Sequence, residues 1–159
     1  MRVDLYEKIW MGVAAALIVI FLAAIVVAAG AYAIHPQSHV ETIDPTTVLE
    51  DPEFGNPGVA IQPDGSVVVT LVAEMFFFDP DPIEVPAGRP VTFRLTSPDV
   101  IHGFEIVGTN ANTMVIPGYV SEFTMSFAEP GEHLVVCNEY CGLLHHNMVG
   151  KLIVQEVGE

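Results

Sequence analysis

The chain has 159 residues and a net charge of −15, with five Lys and Arg set against 20 Asp and Glu. A surface this acidic repels nucleic acid and anionic lipid headgroups, so no nucleic-acid partner is expected. The length suffices for one compact domain plus one additional element. The hydrophobic fraction of 51% is slightly high for a soluble protein because its excess sits in one segment.

That segment comes first. From Ile9 to Ile34 the chain reads IWMGVAAALIVIFLAAIVVAAGAYAI, without a charge. A helix of about 20 apolar residues spans a bilayer core, so the stretch predicts a transmembrane anchor. Trp10 and Tyr32 sit near its two ends, where aromatic rings favour the lipid–water interface. Ala31-Tyr32-Ala33 has the small-residue pattern of a signal-cleavage site. The apolar run, however, is longer than the core of about 7–15 residues found in secretory signals. Arg2 and Lys8 precede the run, and residues 35–64 contain no Lys or Arg. The positive-inside rule then places the N-terminus in the cytoplasm and the remainder outside a plasma membrane crossed once. Asp4 and Glu7 cancel Arg2 and Lys8, so the whole net charge belongs to the outer part. That acidity suits either a basic soluble partner or a protein adapted to high salt, where long-range attraction is screened.

Three zones are expected: an anchor at 1–34, an extended connector at 35–64 punctuated by Pro and Gly, and a β-domain at 65–159. Within the last zone, Ser66 to Val72 is rich in β-branched residues. Val91, Phe93 and Leu95 alternate with polar residues, as do Phe123, Met125 and Phe127. His133 to Cys137 reads as a buried strand, and Lys151 to Gln155 as the last one. Turn signals at Pro86-Ala87-Gly88, Ile116-Pro117-Gly118 and Glu129-Pro130-Gly131 separate these runs. Short strands at this spacing predict an all-β sandwich or barrel.

The chemistry concentrates in Cys137-Asn-Glu-Tyr-Cys141-Gly-Leu-Leu-His145-His146-Asn-Met148. Thiolate, imidazole and thioether together suit copper, whereas zinc sites use Cys and His without Met. A second imidazole is needed, and His102, at the end of the Val91–Thr96 strand, is the best candidate. Each residue also has a plainer reading. The cysteines could form a structural disulfide in an oxidising compartment, Met148 could be packing, and the histidines could be ordinary surface or loop residues. The combination carries the weight. A single-copper site uses one thiolate. Two thiolates four residues apart can bridge two ions, with one imidazole each, Met148 on one and a backbone carbonyl on the other.

Several segments carry a family resemblance: DPTTV, DPIEVPAG, TSPDVIHGF, GTNANTMVIPG and PGEHLVVCNEYCGLLHHNM, spread between Asp44 and Val154. Together they resemble subunit II of haem–copper cytochrome c oxidases, in the branch with one transmembrane helix. The resemblance implies a cupredoxin-like Greek-key β-sandwich and a binuclear copper centre, CuA. It implies Cys137 and Cys141 as bridging thiolates, and His102 and His145 as one imidazole per copper. Met148 and the carbonyl of Glu139 would complete the set, leaving His146 and His133 without a metal role. It further implies electrons arriving from a cytochrome c or a small copper protein and leaving to haem in a catalytic subunit, where oxygen is reduced to water. His35 and His39 lie outside the apolar run and are poor haem ligands.

The family often places a Trp near the copper centre for the incoming electron. The single Trp here is Trp10, in the anchor, so Phe76, Phe77 and Phe78 are the nearest aromatic candidates. In the two-helix branch a glutamate at the Glu139 position also helps bind magnesium, and that role is left open here. Asp99 could orient the His102 ring or cap a turn. The alternatives are a tethered single-copper carrier, a copper chaperone or assembly factor, and a metal-free sandwich closed by a disulfide. A quinol oxidase subunit lacks such ligands, and nitrous oxide reductase needs a second domain for which this chain has no room.

Overall fold

The computed structural model describes residues 4–31 and 40–156, with side chains only as far as residue 28 in the first stretch. Tyr32, Ala33, His35 and His39, to which the sequence assigned expectations, lie outside the described residues. The chain divides into two compact units, residues 1–39 and 40–159, described in turn.

The first unit is helix α1, Leu5–Ala31. Its segment Leu5–Ala28 has a mean hydropathy of 2.9. At about 1.5 Å per residue it is long enough to cross a bilayer with some tilt. Leu17, Ile18, Phe21 and Val26 are all exposed side chains, as suits contact with lipid rather than with a protein core.

The second unit is a sandwich of two sheets. The strands of the first are β1 (Glu41–Thr42), β2 (Gly58–Ile61), β3 (Val67–Glu74), β4 (Phe77–Asp79), β6 (Pro90–Thr96) and β9 (Tyr119–Ser126). Their order is β1-β9-β6-β3-β2, with β4 paired to β3. The second sheet is built from β5 (Ile83–Pro86), β7 (His102–Ile106), β8 (Asn112–Val115), β10 (Gly131–Val136) and β11 (Val149–Gln155), in the order β5-β11-β10-β7-β8. Both sheets mix directions: β3 runs parallel to β6, and β5 parallel to β11.

Alternation decides which face is buried. Val67, Val69 and Leu71 of β3 and Val91, Phe93 and Leu95 of β6 point inward, fully buried. They meet Phe104 and Ile106 of β7, Val135 of β10 and Leu152 and Val154 of β11 from the other sheet. Within the first sheet Phe93 stacks on Phe123 with centroids 4.9 Å apart, and across the gap Phe78 meets Phe104 edge-on at 5.5 Å.

Two expectations need correction. The 35–64 segment is not simply an extended connector, because from Val40 onward it belongs to the β unit. It contributes β1, β2 and a 3-10 helix, Pro45–Glu50, whose N-terminus is capped by the Asp44 carboxylate accepting from Thr46 N–H at 2.9 Å. The segment lacks a long apolar run, yet Val48 and Phe54 bury themselves against Val72. Arg94, on the outward face of β6, ties it down: its guanidinium reaches Glu53 at 2.6 Å, Glu122 at 2.6 Å and Glu41 at 2.8 Å. The side-chain hydrogen bonds of Glu53 and Glu41 raise the Arg94 pKa beyond its already high value. The second correction concerns β10. It buries Val135, but Leu134 is half exposed, because the outer face of the second sheet is open to solvent.

Candidate metal centre

One end of the second sheet brings the expected residues together. His102 opens β7 and is fully buried. Cys137 follows β10, and Met148 precedes β11. The ends of this loop are pinned where Val136 pairs with Val149 and where Cys137 N–H donates to Met148 O at 3.1 Å. A short 3-10 turn, His145–Asn147, folds the loop back over the sandwich.

The donor atoms converge. The two thiol sulfurs are 3.8 Å apart. A disulfide holds its sulfurs at about 2.05 Å, so Cys137 and Cys141 stand as two separate donors. Their spacing is one that an ion with metal–sulfur bonds of about 2.3 Å can bridge. Each thiol has its own partners. Cys137 Sγ lies 3.9 Å from His102 Nδ1 and 3.2 Å from the carbonyl oxygen of Glu139. Cys141 Sγ lies 3.6 Å from His145 Nδ1 and 3.6 Å from Met148 Sδ. His102, Cys137 and Cys141 offer ligand atoms within 4.8 Å of one another, all buried. All six expected residues thus border a single small space, in two halves that share a pair of sulfurs. Burial, with the neighbouring Cys137, pushes the Cys141 thiol up to about 11. It is therefore protonated at neutral pH until a metal displaces the proton.

The remaining expectations divide. His146 is exposed on the loop. His133 sits on β10 with its ring Nδ1 3.4 Å from Val107 O and its face against Phe127, outside the donor group. Of the three phenylalanines, Phe78 is buried in the core and Phe77 is half exposed on β4. Phe76 packs against the copper-type loop: a Cβ added to Gly142 would stand 3.0 Å from its ring. Gly142 has φ +133, which L side chains rarely adopt.

Asp99 does both things anticipated for it. Its Oδ1 lies 2.8 Å from His102 Nε2 and accepts from Ser97 Oγ and Val100 N–H, while Oδ2 accepts from Met75 N–H at 2.7 Å. Burial works against the carboxylate charge, but hydrogen bonds from His102, Met75, Val100 and Ser97 outweigh it and hold Asp99 below the usual carboxylate range. A carboxylate on Nε2 leaves Nδ1 as the free lone pair, directed at the thiol.

Sequence reasoning missed Gly103. A Cβ there would stand 2.8 Å from Glu139 N and 2.9 Å from Asn138 N, and would collide with Asn138 Oδ1. The only signal was a glycine directly after the candidate histidine. The outer surface of the loop was also not anticipated. Leu143 is 87% exposed and Tyr140 71%, and Leu144 and Val149 near them in the chain, with Ile101 beside His102, are also open to solvent.

The family described as "Cytochrome C oxidase subunit II, periplasmic domain" matches residues 69–157. A cytochrome c oxidase subunit 2 of Thermus thermophilus is 41% identical over 155 residues, 95% of this chain and 92% of the relative. A second subunit 2 from Thermus thermophilus is 45% identical over 76% of this chain and 91% of its own length. Among solved structures, a chain of a heme-copper terminal oxidase dimer superposes with a TM-score of 0.70 at 35% identity, covering 94% of this chain and 99% of that one. The periplasmic domain of subunit II from Bradyrhizobium japonicum, at 20% identity and a TM-score of 0.53, agrees in fold. The β unit is accordingly cupredoxin-like.

Proposed function

The chain belongs to the cytochrome c oxidase subunit II family, and from that premise we propose that it holds two copper ions in a CuA centre made by His102, Cys137, Glu139, Cys141, His145 and Met148. It is the copper-binding, electron-input subunit of a haem–copper oxidase, a single-pass membrane protein that works beside a catalytic subunit. The observation that carries the binuclear reading is the pair of thiols 3.8 Å apart, each with its own imidazole. A single-copper centre takes two imidazoles and one thiolate, and would leave the second thiol without a role.

Bound there, copper supplies reversible one-electron exchange between a donor and the haem of the catalytic subunit. The chain's own residues do the rest. Cys137 and Cys141 would give up their thiol protons and hold the ions. His102 and His145 are fixed at opposite ends of the cage. The carbonyl of Glu139 and the thioether of Met148 lie where each can add one weak ligand. Burial of Cys137, Cys141, Met148 and His102 keeps water out. A cage set in a sheet end and closed by strand pairing changes shape little between redox states, which favours rapid electron transfer.

In this reading residues 1–34 anchor the chain with the N-terminus in the cytoplasm, as Arg2 and Lys8 favour. The copper domain of 65–159, completed by the strands before it, stands on the outer side. The donor is a cytochrome c or a small copper protein that docks over Tyr140, Leu143 and Leu144. Exposed apolar side chains beside a redox centre suit such a contact, and Glu139 is the only charged side chain between Cys137 and Met148. Leu143→Glu is therefore expected to slow second-order reduction by the donor about tenfold, the equivalent of roughly 1.4 kcal/mol of docking energy, while the copper spectrum stays as it was. Stopped-flow mixing of the loaded chain with reduced cytochrome c measures both.

The reading as a whole is tested by loading the reduced full chain with copper in detergent, counting copper per chain and recording its paramagnetic resonance spectrum. Two coppers with one unpaired electron shared over both nuclei are expected. One copper with a single-nucleus spectrum would indicate a tethered blue carrier, and no copper would reduce the β unit to a structural domain.

A further inference from the structure

The ligands arrive from separate parts of the chain. His102 stands where β7 begins, and the other ligands lie on the β10–β11 loop. A third segment, the turn between β3 and β4, touches both. Met75 N–H donates to Asp99 Oδ2 at 2.7 Å, and Asp99 Oδ1 holds His102 Nε2 at 2.8 Å. On its other side the same turn covers the loop: a Cβ on Gly142, the residue after Cys141, would stand 3.0 Å from Phe76 and 3.7 Å from Met75 Sδ. One carboxylate therefore joins an imidazole on one side of the cage to the turn that bears on the other side.

We propose that Asp99 is a positioning residue that couples the two halves of the cage, orienting His102 directly and restraining the Cys141 loop through the Met75–Phe76 turn. The inference rests on the copper reading above. The chemistry of the group makes the coupling specific. A carboxylate has two acceptor oxygens and uses one on each side. A carboxamide has a single acceptor oxygen, so in Asp99→Asn the amide nitrogen must face either the His102 ring N–H or the Met75 N–H, donor against donor. One arm is lost whichever way the amide turns. The lost negative charge also favours the reduced, less positive centre.

The test uses the full chain in detergent, with the wild type loaded first. Failure of the wild type to take up two coppers would sink the copper reading itself, before any variant is compared. With the wild type loaded, D99N is expected to surrender copper to a chelator about 10–100-fold faster, the range found when partners of metal ligands are removed. Its reduction potential is expected to rise. Phe76→Ala, which keeps Asp99, is expected to release copper faster with little change in potential. The double variant D99N/F76A should release copper faster than wild type by less than the product of the two single effects, since both act through one turn. Unchanged release and potential in D99N would overturn the proposal, as would strictly multiplicative effects in the double variant. Should D99N not fold, F76A decides alone: unchanged copper release in a folded F76A would remove the turn from the cage.

Discussion

Gly103→Ala is expected to leave a chain that no longer assembles the two-copper centre proposed above. The added methyl group would stand 2.8 Å from Glu139 N and 2.9 Å from Asn138 N. These are backbone atoms of the segment between the two cysteines, so they cannot swing aside as a side-chain tip would. Gly103 is itself held in the β7–β8 pairing opposite Met114. The strain must then move the Asn138–Glu139 peptide, and with it the carbonyl beside Cys137 Sγ. Overpacking of this kind typically costs about 1–3 kcal/mol, which a domain of this size can survive. The expected outcome is a folded protein, by circular dichroism, that retains less than two coppers per chain and loses the shared-electron spectrum. Full loading with an unaltered spectrum would show that the loop has slack that the contact distances deny.

The second large effect belongs to Arg94. It is the shared cation of three carboxylates, Glu41, Glu53 and Glu122, which come from β1, the segment after the 3-10 helix, and β9. Arg94→Met keeps much of the aliphatic stem but leaves three like charges converging on an apolar tip. Removing one partner of a buried ion pair costs about 3–5 kcal/mol. The carboxylates here are around 40% exposed, so a smaller loss of about 2–3 kcal/mol is expected, a fall in Tm of about 10 °C for a unit of this size. Because the residual term is repulsion between solvent-facing carboxylates, raising salt from about 0.1 M to 1 M should restore part of it. Melting curves of wild type and variant at both salt levels check this. A loss that ignores salt would place the effect in packing against the stem rather than in charge.

Much of the copper-type site was legible because its chemistry is local. Cys137, Cys141, His145 and Met148 fall in one strand-to-strand loop, and soft ligands so close together have few other uses. His102 could be placed because it comes shortly after an alternating strand; it proves to be the first residue of the next strand, β7, rather than the end of that one, and is fully buried. The parts that were not legible depend on approach between distant segments. Gly103 is needed only because another loop crosses it. Phe76 was one of three adjacent candidates, separated from Phe77 and Phe78 by pairing of β4 with β3. The 35–64 segment looked like a connector because its composition is polar and broken by Pro. What builds it into the sandwich is two buried side chains, Val48 and Phe54, and an arginine some 40 residues downstream in sequence. Hydrophobic periodicity cannot register an anchor made of single residues.

The position of β11 sets the order in which this protein can mature. It is the last strand described, yet it lies inside its sheet, parallel to β5 on one edge and antiparallel to β10 on the other. During synthesis, which proceeds from the N-terminus, β5 emerges some 65 residues before β11, the one strand it pairs with among the described residues. Through that interval its edge is open, and the loop carrying both cysteines, once made, waits for the second of its two flanking strands. The metal cage therefore closes only once β11 has formed, so a nascent or truncated chain ending before residue 149 would expose two thiols without the fold that keeps them apart.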